Sequence, residues 1–276
     1  IIPAASLVTH HADCEHAFRQ NSDFWYLTGF DEPDALALFL PYKPRGEQYI
    51  LFVLPKEPEI EVWNGFRYGV EGVLRNFGVD IAHPLNEFSS LLGDYLEGAE
   101  GIAFRIGKNP KIEPIVLEAW AKQLDAAPRL GSAASSLFTP SPFLHELRLR
   151  KEPGEVERLR EAARISAEAH EIARKHLRPE MNEREIQAII EQHFLSQGAL
   201  GPAYGSIIAG GDNACILHYT KNQSKLRDND LVLIDAGCCL TDYYNADITR
   251  TFPVNGKFSS EQRALYEIVL AAQKAA

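Results

Sequence analysis

Two aspartates carry the most legible chemistry in this sequence. Asp235 closes the apolar run Leu231-Val232-Leu233-Ile234 and is followed by Ala236-Gly237. A carboxylate there is expected to be partly buried, and a buried ionised carboxylate needs a cation or several hydrogen-bond donors. Eleven residues separate it from Asp247, which heads Ile248-Thr249-Arg250-Thr251. If Leu231 to Cys239 pairs with Tyr243 to Thr251 around a turn centred on Thr241, the two aspartates stand opposite each other. Opposed residues share one face of a ladder, with Cβ atoms about 4.5–5.5 Å apart. Two like charges that close repel unless cations sit between them, and hard oxygen ligands suit a pair of divalent ions such as Mn²⁺. The alternative is a strand-end aspartate capping a turn beside a solvated one, and the pattern by itself leaves both readings open.

His218 falls in an expected strand, Cys215 to Tyr219. Alone it reads as a satisfied core histidine. Beside a two-metal site it would suit a scissile carbonyl or a tetrahedral intermediate. His10-His11-Ala12-Asp13 has the residue types of a metal cluster but no supporting pattern, and reads as a solvated loop. Trp63 precedes Asn64-Gly65, which places it near a turn, open to an interface or ligand role. Gly210-Gly211 lacks the Lys-Ser/Thr of a phosphate loop, and no Gly-x-Ser-x-Gly elbow is present.

The elements that must position these residues follow from periodicity. Ala35 to Leu40 and Tyr49 to Leu54 read as strands of a hairpin, and Ile102 to Ile106 as another strand. Leu85 to Leu96 and Ile112 to Leu124 carry helical spacing. Gly131 to Pro142 reads as a linker, and Leu147-Arg148-Leu149-Arg150 as an extended basic segment. A long helix begins at Pro153, a residue tolerated in a first turn, and ends before Pro179. Asn182 with Glu185, and Ser259 with Gln262, form capping boxes for two further helices. Between those helices the period changes to two, with strands at Ser206 to Ala209 and Leu231 to Asp235, then the pair Asp235 to Cys239 and Tyr244 to Phe252. The boundary is expected at 150, giving domains 1–150 and 151–276.

The 276 residues hold 28 basic and 38 acidic side chains, a net charge of −10. That balance argues against general nucleic-acid binding, which wants a basic face. The apolar runs fall far short of the ~18–20 residues that span a bilayer, so no membrane partner is expected. No basic segment followed by an apolar one marks a signal peptide. Four cysteines, Cys14, Cys215, Cys238 and Cys239, form no Cys-x-x-Cys pair. They fit reduced thiols and a cytoplasmic location. The chain opens without Met and stops inside a helical pattern that has no C-cap, so a piece of a longer protein is expected.

Three stretches, Gly211 to Thr220, Leu231 to Cys238 and Asp247 to Gly256, closely resemble aminopeptidase P, the Xaa-Pro aminopeptidase family of the pita-bread metallopeptidase superfamily. Arg19 to Phe30 resembles that family's N-terminal domain. The resemblance implies an α/β creatinase-like N-terminal domain followed by an α+β pita-bread catalytic domain, of which the first half is present. It implies two Mn²⁺ ions per complete site, with Asp235 and Asp247 as the first two metal ligands. His218 matches the histidine that contacts substrate, while Trp63, Arg148 and Asp13 match residues of the active-site rim. It further implies peptides with proline in the second position as substrates, and a tetrameric homo-oligomer. The spacing between Asp235 and Asp247 is one residue longer than the family's. A bulge would absorb the extra residue; failing that, Asp242 would compete for the role. The family's remaining ligands, a His and two Glu, lie beyond Ala276, so a chain ending there is expected to be inactive. The competing readings are a catalytically dead homologue serving as a binding module and a prolidase-type dipeptidase.

Overall fold

The computed structural model describes residues 1–276, apart from the side chain of Leu130. The chain divides into two compact units, Ile1–Arg150 and Lys151–Ala276.

In the first unit, the apolar runs form the middle of a four-stranded sheet. Its order is Ile2–Pro3, Leu36–Phe39, Tyr49–Val53 and Ile81–Pro84. The expected hairpin is present, with Leu36 opposite Phe52 and Phe39 opposite Tyr49. Both faces of the sheet are covered, which is why its strands read as continuous apolar runs rather than alternating ones. Leu36, Leu38, Ile50 and Phe52 pack with Phe88, Leu92 and Val116. Ala37, Leu51 and Val53 pack with Phe24, Phe30 and Val73.

Three sequence expectations need correction here. The strand at Ile102 shrinks to Ile102–Ala103, which pairs in parallel with Leu137–Phe138. The segment Gly131 to Pro142 is therefore bound into the first unit rather than a free linker. Leu147 to Leu149 is helical, not extended, within Ser141–Leu149. Pro142 is tolerated near that helix's start, Leu144 buries on it, and Arg148 pairs with Asp23 at 2.7 Å.

The second unit packs two helices, Pro153–His176 and Glu183–Ser196, on a three-stranded antiparallel sheet. The sheet order is Ile207–Gly210, Leu231–Asp235, Thr249–Pro253. Ala162, Ile165, Ala169, Ile186, Ile190 and Phe194 meet Ile208, Val232 and Ile234 in its core. Both expected capping boxes form: Glu185 accepts from the Asn182 amide at 2.8 Å, and Gln262 from the Ser259 amide at 2.9 Å. The last helix, Ser260–Ala275, buries none of its residues. No helix of the described residues is long and apolar enough to cross a membrane.

Candidate metal centre

The strand Leu231–Asp235 pairs with Thr249–Pro253, and its neighbours fix the register. Asp235 faces Thr249, the Ala236 amide donates to Ile248 at 3.1 Å, and the Ala246 amide donates to Cys238 at 3.0 Å. Asp247 is thus opposite Gly237, two positions from where the sequence placed it. A slip of two residues leaves every side chain on its original face, so the two aspartates remain together as diagonal neighbours. The extra residue is taken up at the tip. Thr241 to Tyr243 form a three-residue loop closed by Tyr243 donating to the Leu240 carbonyl at 2.9 Å, with Tyr243 at φ 65. A turn followed by one left-handed residue is the usual three-residue hairpin connection. Asp242 does not compete for the metal role, because Arg158 Nε donates to its Oδ2 at 2.5 Å.

Gly237 is required at the crossing point. A Cβ there would lie 1.8 Å from the Ala246 carbonyl oxygen. The chain bends at this residue and changes partner, from Ile207–Gly210 to Gly201–Pro202. The neighbouring strand is consequently interrupted between Pro202 and Ile207, and Tyr204 sits in that gap. Its hydroxyl lies 2.5 Å from Asp235 Oδ1 and 2.9 Å from Asp247 Oδ1. A phenol has one proton and donates to one oxygen at a time. Burial first, and then hydrogen bonds to both carboxylates, raise the Tyr204 pKa above its ordinary value. It is therefore held as a neutral donor between the two carboxylates.

The hairpin rests on the long helix. Ser166 Oγ accepts from the Cys238 amide at 3.0 Å, and His170 Nε2 meets the Ala236 carbonyl at 2.9 Å. Burial lowers the pKa of His170, so the ring is neutral and donates to that carbonyl. Tyr244 donates to Glu155 at 2.8 Å nearer the tip.

Asp235 is half-buried and Asp247 exposed, and neither has an ion pair among the described residues. Hard carboxylate oxygens converging without a cationic partner are the donor type that a divalent metal takes. The residues fit such an ion in kind. No group of three or more His, Cys, Asp or Glu able to hold a metal occurs among the described residues.

The other expected site residues are carried by other segments. His218 is exposed in a turn, and the strand expected around it is instead a short 3-10 helix, Gly211–Cys215, followed by that turn. Asn213 and Tyr219 bond to Glu183 rather than to a neighbouring strand, which draws the segment out of the sheet. Trp63, Arg148 and Asp13 belong to the first unit. Trp63 is 88% exposed at the end of the helix Pro58–Asn64. Arg148 also lies 5.9 Å from the Tyr26 ring. Asp13 sits exposed in a hairpin turn beside Cys14. Sequence reading missed Tyr204, His170 and Glu183. None lies in a spacing pattern; only the folded strand break, helix face and loop give them meaning.

Residues 157–276 match metallopeptidase family M24, and residues 1–103 match the aminopeptidase P N-terminal domain. The chain is 40% identical to the Xaa-Pro aminopeptidase of Escherichia coli (strain K12) over 272 residues, 98% of this chain and 61% of that protein. Its fold matches the aminopeptidase PepP of Pseudomonas aeruginosa with a TM-score of 0.93 at 42% identity, covering 99% of this chain and 62% of that one. It also matches a zinc-substituted E. coli aminopeptidase P in complex with product, with a TM-score of 0.91 at 40% identity over 99% and 62%. The chain thus spans about 60% of the length of the relatives it matches.

Proposed function

We propose, for a chain that belongs to metallopeptidase family M24 behind an aminopeptidase P N-terminal domain, that the whole protein is a metal-dependent Xaa-Pro aminopeptidase. The observation that carries this is the convergence of Asp235 and Asp247 on the single Tyr204 hydroxyl. In this reading Asp235 and Asp247 hold two Mn²⁺ ions together with ligands supplied elsewhere in the whole protein. When bound, such a pair lowers the pKa of a water to near neutrality and polarises the scissile carbonyl. The protein's own residues do the rest. Tyr204 orients the carboxylates, His218 contacts the substrate, and Trp63, Arg148 and Asp13 line the rim.

Proline lacks an amide proton and has a fixed φ, so an X-Pro bond resists pockets built to bind an N–H at that position. A pocket shaped for the ring selects peptides with proline second. We further assign the protein to the cytoplasm, because four cysteines with no Cys-x-x-Cys pair fit reduced thiols, and as a tetramer by its resemblance to the family.

The test is a substrate panel with the whole protein: X-Pro-X tripeptides, X-Pro dipeptides and X-Ala-X controls. Release of the first residue from X-Pro-X alone is expected. Cleavage confined to dipeptides would make it a prolidase, and no cleavage of any would favour a binding homologue.

A further inference from the structure

Residues 210–224 carry His218 between the strand end at Gly210 and the helix cap at Ser224. Ile216 is 54% and Leu217 90% exposed, so the tip beside His218 buries almost nothing. Past Gly210, which pairs with Val232, the loop has no ladder of its own and is ordered by buried side chains. Near its end Asn222, at 0% exposure, accepts from the Ile208 amide and donates to the Ser206 carbonyl and to Gln187. The stretch on either side of His218 is held by one carboxylate. Glu183, at the start of the helix Glu183–Ser196, is fully buried at 0% exposure.

Each oxygen of Glu183 takes two donors from the loop. Oε1 accepts from the Gly210 amide and from Asn213 Nδ2, both at 2.9 Å. Oε2 accepts from the Tyr219 hydroxyl and the Ser224 amide, both at 2.8 Å. The four donors come from the first residue, the last residue and two points between. Asn213 also reaches the Tyr219 hydroxyl at 3.1 Å and Ser224 Oγ at 3.0 Å, which closes the ring of contacts. Tyr219, held at 6% exposure, directly follows exposed His218. Fixing Tyr219 and Asn213 therefore sets the backbone on both sides of His218. Hydrogen bonds to an ionised acceptor are about twice as strong as neutral ones, and here four converge.

We propose that Glu183 is a positioning residue for substrate binding: its buried carboxylate sets the shape of the 210–224 loop and so presents His218 to the peptide. This rests on the reading of His218 as the substrate-contacting histidine. Glu183→Gln keeps the size but turns one oxygen into an NH₂ group that faces donors it cannot accept from.

Two measurements test it. In the whole protein, Glu183→Gln is expected to lower kcat/KM for an X-Pro-X tripeptide about tenfold, mostly through KM. In a His218→Ala background the same change is expected to have little further effect, because residues acting as one unit are not additive. An equal fold-loss in both backgrounds overturns the proposal. The second measurement is amide hydrogen exchange on this chain, which needs no activity. Faster exchange in Glu183→Gln confined to 210–224 is expected, and unchanged exchange there overturns the proposal whether or not the protein cleaves peptides. Tyr219→Phe, which removes one donor and leaves the carboxylate intact, is the milder variant and is expected to show both effects at smaller size.

Discussion

Replacing Gly237 by alanine tests the hairpin geometry severely. The added Cβ would sit 1.8 Å from the Ala246 oxygen, 2.4 Å from its carbonyl carbon and 2.9 Å from the Asp247 amide nitrogen. Real Cβ contacts stay beyond 3.0 Å, so the strands must part by about 1.2 Å. All three obstructing atoms are backbone, so no side-chain rotation relieves the overlap. Parting strains the hydrogen bonds Ala236 to Ile248 and Ala246 to Cys238, at 3.1 and 3.0 Å. Over-packing costs roughly 1–3 kcal/mol and each ladder bond roughly 0.5–1.5. The expected loss is about 4 kcal/mol, read as a fall in the urea midpoint of the second unit at unchanged slope. Gly93→Ala, read in the unfolding of the first unit, is the control for an added Cβ that has room, since nothing lies within 4 Å of its Cβ position inside the helix Phe88–Leu96. It should stabilise by roughly 0.5–1 kcal/mol. A Gly237→Ala loss below about 1 kcal/mol would refute the register described here.

Three further outcomes follow from the same region. Tyr204→Phe leaves the two carboxylates without their shared neutral donor, so metal-free protein should lose about 1 kcal/mol. Added Mn²⁺ should narrow the gap to wild type, and a gap that stays constant contradicts a metal between the aspartates. Asp242→Ala removes one of the two carboxylate partners of Arg158, Glu161 being the other; because both side chains of the lost pair are partly exposed, at 28% and 35%, the expected cost is only about 1 kcal/mol and should shrink in 1 M salt. His170 has its pKa lowered by burial from 6.5. The unfolded chain therefore binds its proton more readily, and the stability due to neutral His170 is present above about pH 6.5 and lost as pH falls. Urea midpoints from pH 7 to 5 should drop less steeply in His170→Asn than in wild type, and parallel profiles would count against this origin.

Much of this fold was legible because period and capping agreed. The long helix from Pro153, the capping boxes at Asn182 and Ser259, and the hairpin of Leu36–Phe39 with Tyr49–Val53 all have local causes. The aspartate pair was legible because a carboxylate ending an apolar strand demands a partner. Its register was two residues off because hairpin register is set by the turn, and left-handed Tyr243 does not declare itself in sequence. The segment around His218 read as a strand because Cys215-Ile216-Leu217 is apolar. Buried contacts made elsewhere in the chain override that propensity: Glu183 takes Asn213 and Tyr219, one on each side of the turn, and Asn222 bonds to Ile208 and Ser206. Tyr204 was silent for a similar reason: its place depends on a strand break caused by Gly237 in another segment.

The most direct test of the central claim is metal-dependent X-Pro hydrolysis with and without the aspartates. The whole protein is stripped by chelator, reloaded with Mn²⁺ and assayed for release of the first residue from an X-Pro-X tripeptide, beside Asp235→Asn and Asp247→Asn. Turnover should vanish on stripping, return with Mn²⁺ in wild type, and stay at least about a hundredfold lower in either variant. Full turnover in the stripped protein, or in Asp247→Asn, would contradict the assignment of these two carboxylates to a catalytic metal.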